Sequence, residues 1–429
     1  MKYSFLSVVA MLFSCSCINA QNTDLDTYIS KAIQNSPLIN ENNNLSKVNQ
    51  LEIQRLKATY TKPQIGLSAN YLFAPIISTD NSKTTFEPNS SGATNYYGYD
   101  LGASNGGEYQ ALLNFNQPLF GSEKYKIASE QVKVETQINE NNNKLTQHDI
   151  QKIVTDQYIL CLQDSKQIHD AETTLNLLSN QQAILKKLVE NSIYKQSDLV
   201  LLNIDYQNYF SQLTTLKSNY HRDLLELNSI CGIDDTTLVQ LQDIELVLKD
   251  NKAANSLFLE SYRLDSIHLA AQQNVFELQY KPQLNLYANT GLWAFTIPDI
   301  PQRFGLSAGL SLTWPIFDGN QKKINRQKTM LLQQNVSFQK KYYENQNKIR
   351  LEKILYEIKS IETQLEYINN QQNNYNILLE SYKKELSAGQ ISIIDFLTIL
   401  KNKSSLTGEY HLLFLQKQSL INAYNYWNW

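Results

Sequence analysis

The chain carries its plan twice. Lys62-Pro63-Gln64-Ile65-Gly66-Leu67-Ser68-Ala69-Asn70 recurs as Lys281-Pro282-Gln283-Leu284-Asn285-Leu286-Tyr287-Ala288-Asn289. Gln117-Pro118-Leu119-Phe120-Gly121 is echoed by Trp314-Pro315-Ile316-Phe317-Asp318-Gly319, and a weaker match pairs Ser197-Asp198-Leu199 with Ile394-Asp395-Phe396. Pro118 stands 80 residues before Asp198, and Pro315 stands 80 before Asp395. Matches held at one spacing over such a distance identify a duplication. The two copies are expected to span 21–235 and 236–429, with the same order of parts in each.

Each Lys-Pro-Gln opens a period-2 pattern. In the first copy Ile65, Leu67, Ala69, Tyr71 and Phe73 share one face, with Gln64, Gly66, Ser68 and Asn70 on the other. Before Pro118 the alternation returns as Tyr109, Ala111, Leu113 and Phe115 against Gln110, Asn114 and Asn116. The second copy gives Leu284, Leu286 and Ala288, then Leu306, Ala308, Leu310, Leu312 and Trp314, the latter set alternating with Ser307, Gly309, Ser311 and Thr313. Strands are therefore expected at about 64–73, 108–117, 283–292 and 304–314. About ten residues is the length that a tilted transmembrane strand needs. The alternative, a soluble half-buried sheet, has less to recommend it. The polar face of the fourth segment is uncharged, and aromatic residues (Tyr71, Phe73, Trp293, Phe295, Trp314) collect near strand ends, as in an interfacial belt. A long loop rich in Asn, Ser, Gly and Tyr, Ala74 to Gly107, is expected to be structureless, and a shorter one holds Pro298 and Pro301. Four strands cannot close a barrel, and an open edge in lipid leaves backbone groups unpaired. Several chains must then share one barrel: two would give eight strands and three would give twelve.

The remainder reads as helix. Leu202, Tyr206, Tyr209, Leu213, Leu216 and Tyr220 advance by threes and fours, a heptad seam, and Leu177, Ile184 and Leu188 suggest a similar seam upstream. No proline falls between Pro118 and Pro282. A helix running from Phe120 to a break near Asn191–Lys195 would be on the order of 100 Å long at ~1.5 Å per residue. The fold class expected is mainly α with a small β part: long antiparallel coiled-coil hairpins (118–232 and 315–429) forming an α-barrel, plus four strands per chain in a shared transmembrane β-barrel.

Composition removes other classes. A net charge of −3 offers no basic stripe for phosphate, so nucleic acid is not an expected partner. Lys2, the apolar run Phe5 to Phe13 and small residues ending at Ala20 form a secretory signal, residues 1–20, with lipidation at Cys15 or Cys17 as the alternative. No later stretch approaches the ~20 apolar residues of a transmembrane helix. His148, His169, His221, His268 and His411 lack metal-ligand spacing and read as packed or solvated residues. Nothing resembles a nucleophile motif, a phosphate loop or a paired-carboxylate site. Neither an enzyme nor a cofactor is expected. Cys161 and Cys231 lie 35 residues either side of position 196, hence at similar height in a hairpin. Packed helices run ~8–10 Å apart, wider than a disulfide spans, so two separate thiols are expected.

In this order, the signal segment, the Lys-Pro-Gln strands, the Pro-Leu/Ile-Phe-(Asp)-Gly turns and the long hairpins resemble the TolC-like outer membrane efflux proteins. Leu25 to Ile33, followed by Ser36-Pro37-Leu38, is similar to that family's first helix. The resemblance runs from about Asp24 to Trp429 and implies a homotrimer: a twelve-stranded barrel in outer-membrane lipid, continued by a twelve-helix tunnel in the periplasm. It implies a passive exit duct for tripartite efflux or type I secretion, served by an inner-membrane transporter (RND, ABC or MFS type) and a periplasmic adaptor. The competing reading is a periplasmic coiled-coil scaffold or adhesin. The hairpin turns correspond to the family's periplasmic tips, so Asn191, Ser192, Ile193, Ala388, Gly389 and Gln390 are the expected adaptor-docking residues. Ser192 stands where the second turn keeps Gly389. Asp198 and Asp395 are candidates for a cation-selective entrance, since a carboxylate ring at a constriction favours cations. Alternatively each only caps a helix, and the two roles are compatible. The segment before the second strand pair, Asp265 to Pro282, is shorter than Pro37 to Pro63, implying a helix two turns shorter.

Overall fold

The structure, a computed structural model, describes residues 24–88, 93–99, 107–250 and 256–429. The expected signal segment 1–20, with Cys15 and Cys17, lies outside them. The chain forms two compact units, and neither is a contiguous half. One holds the N-terminal part to Glu41 with Asn143–Leu257 and Tyr342–Trp429; the other holds Asn42–Asn142 and Phe258–Lys341.

Seven helices are described: α1 (Leu25–Asn35), α2 (Pro37–Thr61), α3 (Gly121–Glu190), α4 (Gln196–Cys231), α5 (Leu257–Phe276), α6 (Gln321–Ser387) and α7 (Ile393–Trp427). None is long and apolar enough to cross a membrane. Ser36 separates α1 from α2 because it precedes a proline and sits at ψ 121°, outside the helical region. α3 runs unbroken for 70 residues and α6 for 67. α5 has 20 residues against 25 in α2, and it begins at Leu257, upstream of Asp265. The difference is about one and a half turns, not two. A 3-10 turn, Glu277–Tyr280, leads from α5 into the next strand.

The first unit is held by two main apolar clusters. Tyr28, Val154, Tyr158, Leu224, Leu227 and Leu241 pack with Cys161 and Cys231, joining α1, α3, α4 and the extended segment after α4. Tyr158 donates to the Gln242 carbonyl at 2.8 Å and Tyr220 to that of Val239 at 2.7 Å, so one buried and one half-buried phenol pin that extended segment. Asn35 closes the C-terminus of α4, donating to the carbonyls of Cys231 and Gly232 at 2.9 Å each. The second cluster joins Leu178, Leu185 and Leu202 to Leu379, Leu386, Ile393, Phe396, Leu397 and Leu400. Ile393, Phe396, Leu397 and Leu400 follow the i, i+3, i+4, i+7 spacing that puts one helix face inward.

The heptad seam of α4 is seen: Leu202 and Leu213 are buried, and Tyr206, Tyr209, Leu216 and Tyr220 pack against the clusters. On α3 the seam differs from the expected one. Beyond Asp164 the buried residues of α3 are Ala171, Leu175, Leu178, Gln181 and Leu185, while Ile184 is exposed and Leu177 and Leu188 only border the core. This stretch continues the buried seam that runs through Val154, Tyr158, Cys161 and Asp164, and its small member, Ala171, is one that a search for large apolar residues passes over.

In the second unit, β1 (Gln64–Phe73), β5 (Gly107–Leu119), β6 (Gln283–Ala294) and β7 (Phe304–Thr313) form one antiparallel sheet in the order β1-β5-β6-β7. The segment between β1 and β5 is not structureless where it is described. It holds a three-stranded sheet, β3-β2-β4, from β2 (Ile76–Ser78), β3 (Thr85–Glu87) and β4 (Tyr96–Tyr97). Asp80 organises it, its carboxylate accepting from the Thr94 amide and hydroxyl at 2.6 Å each and from the Asn95 amide at 2.8 Å. Short polar side chains thus supply local bonds that composition alone reads as disorder.

Candidate functional site

The two helical turns of the first unit have the same backbone. After α3, Ser192 N–H donates to Val189 O and Ile193 N–H to Leu188 O, both at 2.9 Å. After α6, Gly389 N–H donates to Leu386 O at 3.1 Å and Gln390 N–H to Glu385 O at 2.9 Å. Both are the paired bonds of a Schellman ending, which requires a left-handed residue. Gly389 has φ +73° and Ser192 φ +63°. Serine therefore adopts the glycine's conformation, and the departure noted in the sequence changes side-chain chemistry without changing the turn.

Asp198 and Asp395 occupy equivalent places three residues beyond the N-caps of α4 and α7. Asp198 accepts from the Lys195 amide at 3.0 Å. Asp395 accepts from the Ser392 hydroxyl at 2.8 Å, and the Ser392 oxygen accepts from the Asp395 amide at 3.2 Å. Both are thus placed as capping carboxylates, near the positive end of a helix. Asp395 remains exposed and Asp198 half-exposed.

The turns also touch each other. A Cβ on Gly389 would lie 2.6 Å from Ile193 Cγ2, so the first turn rests on the bare backbone of the second. Tyr194 donates its hydroxyl to Ile391 O at 2.5 Å and approaches Leu386 O at 3.1 Å. Burial raises the pKa of this phenol, keeping it a donor. Sequence reasoning missed Tyr194. Its signal was available: in the 197-residue offset that relates Ser192 to Gly389, Tyr194 faces Ile391, a polar aromatic against an aliphatic.

The sheet of the second unit has two unlike faces. Cross-strand rows on one are Ile65–Phe115–Ala288–Ala308, Leu67–Leu113–Thr290–Leu306 and Ala69–Ala111–Leu292–Phe304. This apolar face is open, with Leu67 78% and Leu306 79% exposed. On the other lie Gln64–Asn116–Tyr287–Gly309, Gly66–Asn114–Asn289–Ser307, Ser68–Leu112–Gly291–Gly305 and Asn70–Gln110–Trp293. Gly291 sits at φ +151°, and a Cβ there would lie 2.1 Å from the Ala111 carbonyl oxygen, so close strand pairing at this row requires glycine. β1 and β7 are the edges of this sheet, and among the described residues no strand pairs with the outer side of either.

The histidines are packed by ordinary contacts where contacts are seen. His148 stacks on Trp429 with centroids 3.8 Å apart, His411 meets Asp170 at 2.5 Å, and His268 meets Gln272 at 2.7 Å. Cys161 and Cys231 are free thiols buried in one cluster, as expected from the hairpin. Burial raises both thiol pKa values, that of Cys231 to about 12.

No family model and no curated protein matches the sequence. Solved structures do match. The Campylobacter jejuni CmeC outer membrane channel is 12% identical with a TM-score of 0.67, over 94% of this chain and 85% of that one. The outer membrane protein VceC of Vibrio cholerae is 14% identical with a TM-score of 0.69, over 94% and 95%. The open state of the Neisseria gonorrhoeae MtrE outer membrane channel gives 11% and 0.65, over 94% and 88%. The chain has the fold of these outer membrane proteins, and at that level the resemblance to the TolC-like proteins holds.

Proposed function

We propose that the chain is an outer-membrane exit duct, three copies of which pool four strands each into one twelve-stranded barrel and continue it with helices into the periplasm. The observation that carries this reading is the four-stranded sheet, with an exposed apolar face, an almost uncharged polar face and two unpaired edges. Water would leave that apolar face costly, and lipid would leave those edges costly unless neighbouring copies pair them. Antiparallel closure follows, since β7 of one copy runs opposite to β1 of the next. A periplasmic scaffold or adhesin has no use for such a sheet.

On this reading the two halves, 21–235 and 236–429, are the duplicated units. A periplasmic adaptor docks on Asn191, Ser192, Ile193, Ala388, Gly389 and Gln390, and Asp198 and Asp395 line the entrance while capping their helices. An inner-membrane transporter supplies the energy for efflux or secretion, and the duct itself is passive rather than enzymatic.

The test is reconstitution of protein extracted from the outer-membrane fraction into planar bilayers. Discrete conductance from a detergent-resistant trimer is expected, with block by multivalent cations that weakens in the Asp198→Ala/Asp395→Ala double variant. Trimer assembly should survive that change, because losing a helix-start carboxylate costs about 1 kcal/mol. A soluble periplasmic monomer without conductance would sink the architecture; unaltered block would leave these aspartates as caps alone.

A further inference from the structure

Among the described strand residues of the four-stranded sheet, one side chain carries a formal charge. It is Glu108, paired opposite Leu72 and two residues from Gln110, which puts it on the polar face beyond the Asn70–Gln110–Trp293 row. Trp293 donates its indole N–H to Glu108 Oε1 at 2.8 Å, fixing where the carboxylate stands. The nearest basic group along the chain from Trp293 is Arg303, whose carbonyl accepts from the Trp293 amide at 3.0 Å. Its guanidinium lies 3.7 Å from Asp299, so these three groups sum to one negative charge.

We infer that Glu108 sets the charge preference of the outer end of the duct, favouring cationic and neutral permeants over anions. The inference rests on the proposed duct, in which the polar face lines the lumen. Three copies would then place three carboxylates in one ring above a wall of Gln, Asn, Ser, Gly and Tyr. A ring of like charges selects by sign, and a neutral wall offers nothing to offset it. The indole matters because a free glutamate would spread its charge over many rotamers, whereas a hydrogen-bonded one keeps it at one height.

The experiment is reversal potential across planar bilayers under a KCl gradient, in about 0.1 M salt, where charges act over ~10 Å. The Asp198→Ala/Asp395→Ala protein is compared with the same protein carrying in addition Glu108→Gln or Glu108→Lys, so that carboxylates at the tips do not mask the effect. Glutamine can still accept from Trp293, so the strand geometry is kept. The cation-to-anion permeability ratio should fall by about half or more in Glu108→Gln and invert in Glu108→Lys. An unchanged ratio in channels that conduct normally would overturn this inference and leave the duct intact. Absence of any conductance from the wild-type protein would overturn the duct reading itself, and this one with it.

Discussion

At the scale of single residues, the least expected group is Asp164. It is buried on α3 with one carboxylate oxygen lacking a partner, and it faces Asp223 on α4, which Arg222 holds ionised through bonds of 2.7 and 2.9 Å. Burial first, and then the neighbouring Asp223, raise its pKa from the ordinary aspartate range to about 7. Raising a carboxyl's pKa on folding stabilises the native state while the group is protonated, and that contribution is lost as pH climbs through the folded value. Wild-type stability should therefore decline from about pH 4, the unfolded carboxyl's value, to about pH 7, the folded one. Asp164→Asn, which mimics the protonated acid, should melt above wild type at pH 8 and gain nothing at about pH 3.5, below the unfolded carboxyl's own value. Parallel melting curves across that range would show that the site titrates normally. The sequence held no sign of this pair, because Asp164 and Asp223 are 59 residues apart and only the packing of α3 on α4 brings them together.

Between elements, the contact of interest is the one joining the two hairpin turns. Tyr194 belongs to the first turn and bonds carbonyls of the second. A neutral hydrogen bond contributes ~0.5–1.5 kcal/mol, and a deleted donor leaves its acceptors to water at an exposed tip. Tyr194→Phe should therefore cost about 0.5–1.5 kcal/mol in urea unfolding of the first unit. Faster hydrogen exchange should accompany it, confined to residues 189–198 and 386–395. Unchanged exchange there would mean that Ile193 seated on Gly389, rather than the hydroxyl, holds the turns together. The individual turns were legible in the sequence, from the break near Asn191–Lys195 and from Gly389. Their mutual contact was not, since it depends on the angle at which the two hairpins meet.

For the whole molecule, the decisive feature is what one chain leaves uncovered. Ile324, Leu331, Phe338, Tyr342, Ile349, Tyr356 and Tyr367 of α6 are each between 58% and 78% exposed. At about 100° per residue they fall within roughly 40° of one helix face. Such a stripe, with the open strand edges, is what a second copy would bury. On the proposed trimer, Leu331→Asp combined with Tyr356→Asp should shift the purified protein from trimer to monomer in analytical ultracentrifugation, with the helical circular dichroism retained. A trimer of undiminished stability would assign the stripe to another role. By itself the sequence determined the local elements, because a helix or a strand follows from periodicity, and the chain states its periodicity in Gln64–Phe73, in Leu202–Tyr220 and in the 80-residue spacing repeated in both halves. It determined the unlike faces of the sheet for the same reason. Tertiary structure alone decided the cross-strand rows that set Glu108 beside Trp293, the seam of α3 that runs through Ala171, the small sheet gathered around Asp80 and the phenol that joins the turns. Each of these depends on groups distant in sequence meeting at hydrogen-bonding or van der Waals distance, and residue order carries no direct record of that distance.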